Sequence, residues 1–288
     1  MRQPAATLET FYQSRLGLAA KRLMSERMTA LWGDCAGKRV LGVGYPVPLL
    51  PLWQEDAASC IGVVPEEIGE SRLLSPRGQT LCLAPEQRLP FPEGLFDRVF
   101  LLHALEEADS PRQLLREAWR VLAPEGRIVV AVTNRRSMWS LVDSKPFGHG
   151  RPWTRRQMVR FLNDSLFQVT ASTTAVHMPP LDWRIITGAA SSWERAGEFV
   201  LPGLGGVVLV EAVKRLYSKP SGSAAAPVTK AVKAGRPKPV MPRKLAGPSP
   251  SEPREKSAID VTIQADTGSV KTAIGGGPNE ISYSDLQT

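Results

Sequence analysis

The run Lys38-Arg39-Val40-Leu41-Gly42-Val43-Gly44-Tyr45-Pro46-Val47-Pro48 decides how the rest of the chain is read. Its apolar residues Val40, Leu41 and Val43 break directly into glycines, the pattern of a buried strand delivering the backbone to a tight turn. Gly42 and Gly44 carry no Cβ, so the turn can take angles closed to other residues and a ligand can approach bare main chain. A Gly-x-Gly pair also serves simply to tighten a turn, and the residues downstream decide between the two. The position where a dinucleotide-binding loop would carry its third glycine is Val47, which argues against a nicotinamide enzyme.

Working forward, Pro48 and Pro51 leave room only for a short or displaced first helix. Further strands are predicted over 59–64, 80–84 and 96–102. Ser110-Pro111-Arg112-Gln113 reads as a helix start, with Ser as cap and Pro at the first helical position. Leu114, Leu115, Ala118, Trp119, Val121 and Leu122 supply its buried face, and Pro124-Glu125-Gly126 ends it. The uninterrupted run Ile128-Val129-Val130-Ala131-Val132 fits a strand buried on both faces of a parallel sheet. A second capped helix is predicted over 154–162, with strands at 167–173 and 206–212. Strand, helix and strand alternating at this spacing make a βαβ series.

Working backward, residues 7–32 place Leu8, Phe11, Leu16, Ala19, Leu23 and Met28 three or four apart with charges between them, one or two amphipathic helices ahead of the sheet. Beyond Tyr217, Pro, Ala, Ser, Gly and Lys dominate, and none of the seven Trp is found there. Such a stretch cannot bury enough surface to offset its ordering entropy. The organisation expected is therefore a helical cover over 1–37, an α/β domain over 38–215 and a disordered tail over 216–288.

The 288 residues carry a formal charge of +8, and residues 216–288 hold ten Lys and Arg against six Asp and Glu. That balance permits contact with nucleic acid through the basic surface and tail, without specifying it. Cys35, Cys60 and Cys82 have neither metal-ligand nor disulfide-framework spacing, so reduced thiols, no metal and a cytoplasmic location are expected. No stretch approaches the roughly twenty apolar residues a membrane span needs, and no signal-peptide pattern opens the sequence.

The block Leu89-Pro90-Phe91-Pro92-Glu93-Gly94-Leu95-Phe96-Asp97-Arg98-Val99, then His103-Ala104-Leu105-Glu106, then Leu114-Leu115-Arg116-Glu117-Ala118-Trp119-Arg120-Val121-Leu122-Ala123-Pro124-Glu125-Gly126-Arg127, resembles the class I S-adenosylmethionine-dependent methyltransferases of the type 11 branch. The resemblance is firm over 38–134. Within the branch, Gly42-Tyr45-Pro46 and Pro146-Phe147-Gly148-His149-Gly150-Arg151-Pro152 look like a bacterial subgroup for which the resemblance supplies no substrate. It implies a Rossmann-like, doubly wound α/β sheet of seven mostly parallel strands with an antiparallel last strand, and S-adenosylmethionine as cofactor. Carried over, Gly42, Gly44 and Tyr45 would lie under the methionine part of the cofactor. Val64 would stand at the ribose position, Glu86 and Gln87 would edge the adenine, and Leu102 would lie near the sulfonium.

Departures from that pattern are visible. Pro46 replaces the third small residue of the loop and has no N–H to donate. Val64 stands where a carboxylate usually holds the ribose hydroxyls, a loss of about 1.5–3 kcal/mol unless Glu66 or Glu67 substitutes. These departures motivate an alternative, a methyltransferase-like domain without catalysis that acts as a binding or regulatory protein. If methyl transfer uses a base, His103 is the candidate, directly after the strand expected to face the methyl group. His149 and Arg151 in the glycine-rich loop are candidate substrate contacts, and lone His177 is expected to be structural. Arg135, Arg136, Arg151, Arg155, Arg156 and Arg160 would favour an anionic substrate if they converge. A small-molecule acceptor is expected.

Overall fold

Val40, Leu41 and Val43 lie in the middle of a seven-stranded sheet, in a computed structural model that describes residues 2–68, 80–201 and 203–215. The strands are β1 (Arg39–Gly44), β2 (Ser59–Val64), β3 (Thr80–Leu83), β4 (Phe96–Leu102), β5 (Leu122–Thr133), β6 (Phe167–Ala175) and β7 (Val207–Lys214). Their order is β3-β2-β1-β4-β5-β7-β6. The first five run parallel, and β7 inserts antiparallel between β5 and β6. The order reverses between β1 and β4, which opens a crevice at the carboxyl ends of those two strands.

Helices cover both faces. On one lie α1 (Ala5–Gln13) and α2 (Arg15–Trp32); on the other, α3 (Pro111–Val121) and α4 (Arg155–Asp164). The alternation of a pleated strand distributes β5 between them: Val129 and Ala131 join the core under α1 and α2, while Ile128, Val130 and Val132 join the core under α3 and α4. Both faces being buried, the strand needs an unbroken apolar run, and each such side chain contributes about 1.5–3 kcal/mol by leaving water.

The β1–β2 connection contains only one 3-10 turn at Leu50–Leu52, as its prolines suggested. The tryptophan pair Trp32 and Trp53, 4.9 Å between ring centroids, packs with Phe100 in the core that α2 covers. Two sequence expectations need correction. Ser110 makes no side-chain cap bond; its carbonyl instead accepts from the N–H groups of Gln113 and Leu114. The strand β5 begins at Leu122 rather than after Gly126, because Leu122 pairs with Phe96 before a register shift that turns Glu125 to φ 58°. The predicted tail over 216–288 lies outside the described residues.

Two helices were not anticipated, α5 (Arg184–Gly188) and α6 (Ala190–Val200). The latter is joined to α2 by Arg27, whose guanidinium reaches Glu198 at 2.8 Å and Glu194 at 3.3 Å. Glu194 also accepts the backbone N–H of His177 at 2.9 Å, so His177 belongs to this joint.

Candidate functional site

The carboxyl ends of β1 and β4 are tied together where Tyr45 N–H donates to the Leu102 carbonyl at 2.8 Å. That bond requires Gly44 at φ 97°, where an added Cβ would fall 2.3 Å from the Leu102 oxygen. A Cβ on Gly42 would meet Pro46 at 2.4 Å and Phe100 at 2.6 Å. Both glycines are thus needed by the chain's own close packing. Pro46, which leaves the loop one donor short, is also the residue that fills the space beside Gly42.

Above this turn the crevice is occupied. Tyr12 from α1 stacks on Tyr45, with centroids 6.0 Å apart and planes 17° from parallel. Its hydroxyl shares a 2.8 Å hydrogen bond with His103 Nε2. His103 follows β4 at φ 49° and is 3% exposed, with the Phe147 ring 4.9 Å away. Burial in this aromatic surround pushes its imidazole down to about 3, so it stays neutral through ordinary pH. The Tyr12 phenol is raised well above its usual value by burial, then by Tyr45 and Glu106.

The N-terminal segment closes the other end. Arg2 forms an ion pair with Glu86, whose side chain is 1% exposed, and its Nε lies 3.7 Å from Glu67 Oε2. Burial raises the Glu86 carboxyl while Arg2 opposes the shift. Glu86 and Glu67, the carboxylates expected at the adenosine part of a cofactor, are therefore both engaged by the chain's own guanidinium. Gln3 N–H donates to Glu107 at 2.8 Å. Val64 and Leu102 are buried, and Val64 presents only its carbonyl, to Ala84 N–H.

Glu106 was missed by sequence reasoning, because it stands in the acidic run Glu106-Glu107-Ala108-Asp109, which reads as a solvated turn. It is 5% exposed; one carboxylate oxygen accepts Thr133 N–H at 2.9 Å, and the other has no hydrogen-bond partner. Burial raises its carboxyl to about 7 despite those backbone bonds. The loop carrying His149 and Arg151 packs onto it, for Arg151 N–H donates to the Glu106 carbonyl at 2.8 Å and a Cβ on Gly150 would fall 2.6 Å from that oxygen. His149 is half-buried and Arg151 exposed.

Open space lies farther out, around the start of α3. A hollow of about 360 Å³ is lined by Gln87, Ser110, Arg112 and Arg116. A second, of about 450 Å³, is lined by Arg112, Arg135, Arg151, Trp153 and Phe161. Of the six arginines singled out above, Arg135 and Arg151 meet here, whereas Arg136, Arg155, Arg156 and Arg160 do not line it. Among the described residues no cluster of His, Cys, Asp or Glu could hold a metal, and no helix is long and apolar enough to cross a membrane.

A sheet of this order, with its Gly-x-Gly turn at the switch point, is the doubly wound arrangement of the class I methyltransferase fold. Residues 41–130 match the family described as methyltransferase domain. The whole fold is similar to a SAM-dependent methyltransferase of Thermotoga maritima, at TM-score 0.51 and 16% identity over 72% of this chain and 94% of that one. Among curated proteins, 111 residues are 27% identical to an uncharacterized protein of Mycobacterium tuberculosis, covering 36% of this chain and 39% of that protein. A Methanocaldococcus jannaschii protein is 31% identical over 67 residues, covering 23% of this chain and 33% of its own length. The chain thus spans well under half the length of these curated relatives.

In the closed arrangement described here, the crevice does not fit the cofactor: Tyr12, Phe147 and Arg2 stand in it. The polar groups that would fit it, the buried carboxylates of Glu86 and Glu106, are present behind them.

Proposed function

We propose that this chain is an S-adenosylmethionine-dependent methyltransferase acting on a small-molecule acceptor, with residues 38–215 as the catalytic domain and 1–37 as its cover. The observation that carries the reading is the sheet order with β7 antiparallel between β5 and β6, over a segment matching a methyltransferase domain. When bound, the cofactor would supply a methyl group that passes in line to the acceptor, its sulfonium sulfur leaving as the neutral thioether. The remaining work belongs to side chains already described.

Withdrawal of residues 2–13 releases Glu86 and Glu67 from Arg2 as acceptors for the cofactor's polar groups, and frees the Gly44–Tyr45 turn. The same movement takes the Tyr12 hydroxyl away from His103 Nε2, making that nitrogen available to accept a proton. Glu106, with one oxygen unpartnered and a carboxyl raised to about 7, is a second atom at which a proton can be held. His149 faces the acceptor from the loop packed on Glu106. Free Cys35, Cys60 and Cys82, all with thiols raised by burial, support a reducing, cytoplasmic setting.

Calorimetric titration of the full chain and of Arg2→Ala with S-adenosylhomocysteine tests this reading. Saturable binding by either supports it, and binding tightened tenfold or more by the substitution supports the closure as a gate. Absence of heat from both at millimolar ligand overturns the enzymatic reading and leaves a non-catalytic binding protein.

A further inference from the structure

The groove of Arg112, Arg135 and Arg151 stands apart from the closed crevice and is open to solvent. It lies between the start of α3, the chain leaving β5, and the segment ahead of α4. These elements hold their relative positions by main-chain bonds. Arg135 N–H donates to the Trp153 carbonyl at 3.0 Å, Trp153 N–H to Thr133 at 2.9 Å, and Arg151 N–H to Glu106 at 2.8 Å. The main chain at Arg135 and Arg151 is thus fixed, while the side chains of all three arginines are exposed.

None of the three has a carboxylate within ion-pairing distance among the described residues. This contrasts with Arg2, Arg27, Arg120 and Arg127, each of which is paired. Arg112 instead lies over the Phe161 ring, 5.8 Å from its centroid, and Phe161 packs 5.1 Å from Trp153. One wall is thus apolar and aromatic, and the buried Trp153 Nε1 has no acceptor. Asp109 is the one carboxylate in the lining. Three guanidiniums and one carboxylate leave a local charge of about +2, and guanidinium forks match phosphate oxygens two at a time. At about 450 Å³ the hollow is of small-ligand size.

We propose that this groove binds a small phosphate monoester in its dianionic form, the phosphate among Arg112, Arg135 and Arg151 and its organic part against Trp153. An extended nucleic-acid strand fits less well, because the exposed Arg155, Arg156 and Arg160 of α4 do not continue the lining. The inference does not depend on methyl transfer and stands or falls separately from it.

The test is calorimetric titration of the full chain with phenyl phosphate at 0.15 M salt, with phenyl sulfate, benzoate and a single-stranded 20-mer as comparison ligands. Phenyl phosphate is expected to bind at least fivefold more tightly than the two monoanions, and more tightly at pH 7.5 than at pH 5.5, as its second proton leaves near pH 6. Arg135→Gln and Arg151→Gln are each expected to weaken it tenfold or more, and Arg156→Gln by less than twofold. Near-ultraviolet circular dichroism checks that the variants keep their fold, and Arg135→Lys, which preserves charge but not the fork, is expected to fall between. Equal binding of phosphate, sulfate and benzoate overturns the proposal, as does equal weakening by Arg156→Gln, which would indicate diffuse attraction to a basic protein. So does tighter binding of the 20-mer that Arg156→Gln weakens as much as the groove variants, which would assign the surface to nucleic acid.

Discussion

Tyr12 Oη and His103 Nε2 lie 2.8 Å apart, joining the first helix to the residue that follows β4. This buried bond links the cover to the candidate site, and it holds a neutral imidazole against a neutral phenol in a setting where either charge would be costly.

Tyr12→Phe keeps the stack on Tyr45 and removes only the hydroxyl. The imidazole nitrogen is then buried without a partner, at an expected cost of about 1–3 kcal/mol. Urea unfolding should show a lower midpoint with an unchanged slope, and an unchanged midpoint would mean that water replaces the hydroxyl.

Arg2→Ala leaves Glu86 without its counter-charge. Breaking a buried pair from one side costs about 3–5 kcal/mol where the structure cannot relax. Here burial already raises the Glu86 carboxyl, which can take up a proton instead of standing charged and unpaired, so a loss of roughly 1–2 kcal/mol is expected. Hydrogen exchange should quicken along residues 2–13 and around Glu86, with β4 and β5 unaffected.

Gly44→Ala combines a φ of 97° with a Cβ 2.3 Å from a backbone oxygen that cannot step aside. A loss of about 3 kcal/mol or more is expected, read as a drop in thermal midpoint. Gly33, at φ 64° and ψ −137° but with open space about it, should lose less on substitution by alanine, about 1–3 kcal/mol, all of it backbone strain.

Glu106 and His103 act oppositely on stability as pH changes. Glu106, raised from 4.5 to about 7, holds a proton in the folded chain that the unfolded chain has lost, so its contribution is full below 4.5 and declines as pH rises to 7. His103, lowered from 6.5 to about 3, refuses a proton that the unfolded chain takes, so its contribution is full above 6.5 and declines as pH falls toward 3. Between pH 4.5 and 6.5 the two slopes cancel. Glu106→Gln should therefore unmask stability that rises with pH across that window, and His103→Gln stability that falls, each by roughly 2–3 kcal/mol. Denaturant titrations at intervals of half a pH unit would show it; parallel curves for the wild type and both variants would refute it.

The βαβ order was legible because each parallel strand, buried on both sides, writes itself as a short apolar run, and because the helices of the second half open on Ser110-Pro111 and Thr154. The Thr154 and Gln157 side chains form the reciprocal cap their spacing implied. At Ser110 the same kind of spacing misled, since the cap's role passed to its carbonyl. The filling of the crevice was not legible. It depends on Arg2 meeting Glu67 and Glu86, and on Tyr12 meeting Tyr45 and His103, contacts between distant parts of the chain that no local periodicity encodes. Helix α6 was missed for a similar reason: it carries few buried apolar residues and is held through Arg27. The glycine turn shows the limit most plainly, because an empty Cβ position reads alike whether Pro46 or a foreign molecule fills it.

The antiparallel course of β7 has a practical consequence. Val207 pairs with Thr133 at the crevice end of β5, and Val213 with Arg127 at the far end, so the strand carries the chain roughly 20 Å away from the crevice before reaching Arg215. Arg215 is exposed, so a fluorophore placed at that position reports from the remote rim of the sheet, whereas one placed at Arg2 would prise at the closure it was meant to observe, and two differently labelled preparations would then report different affinities for one protein.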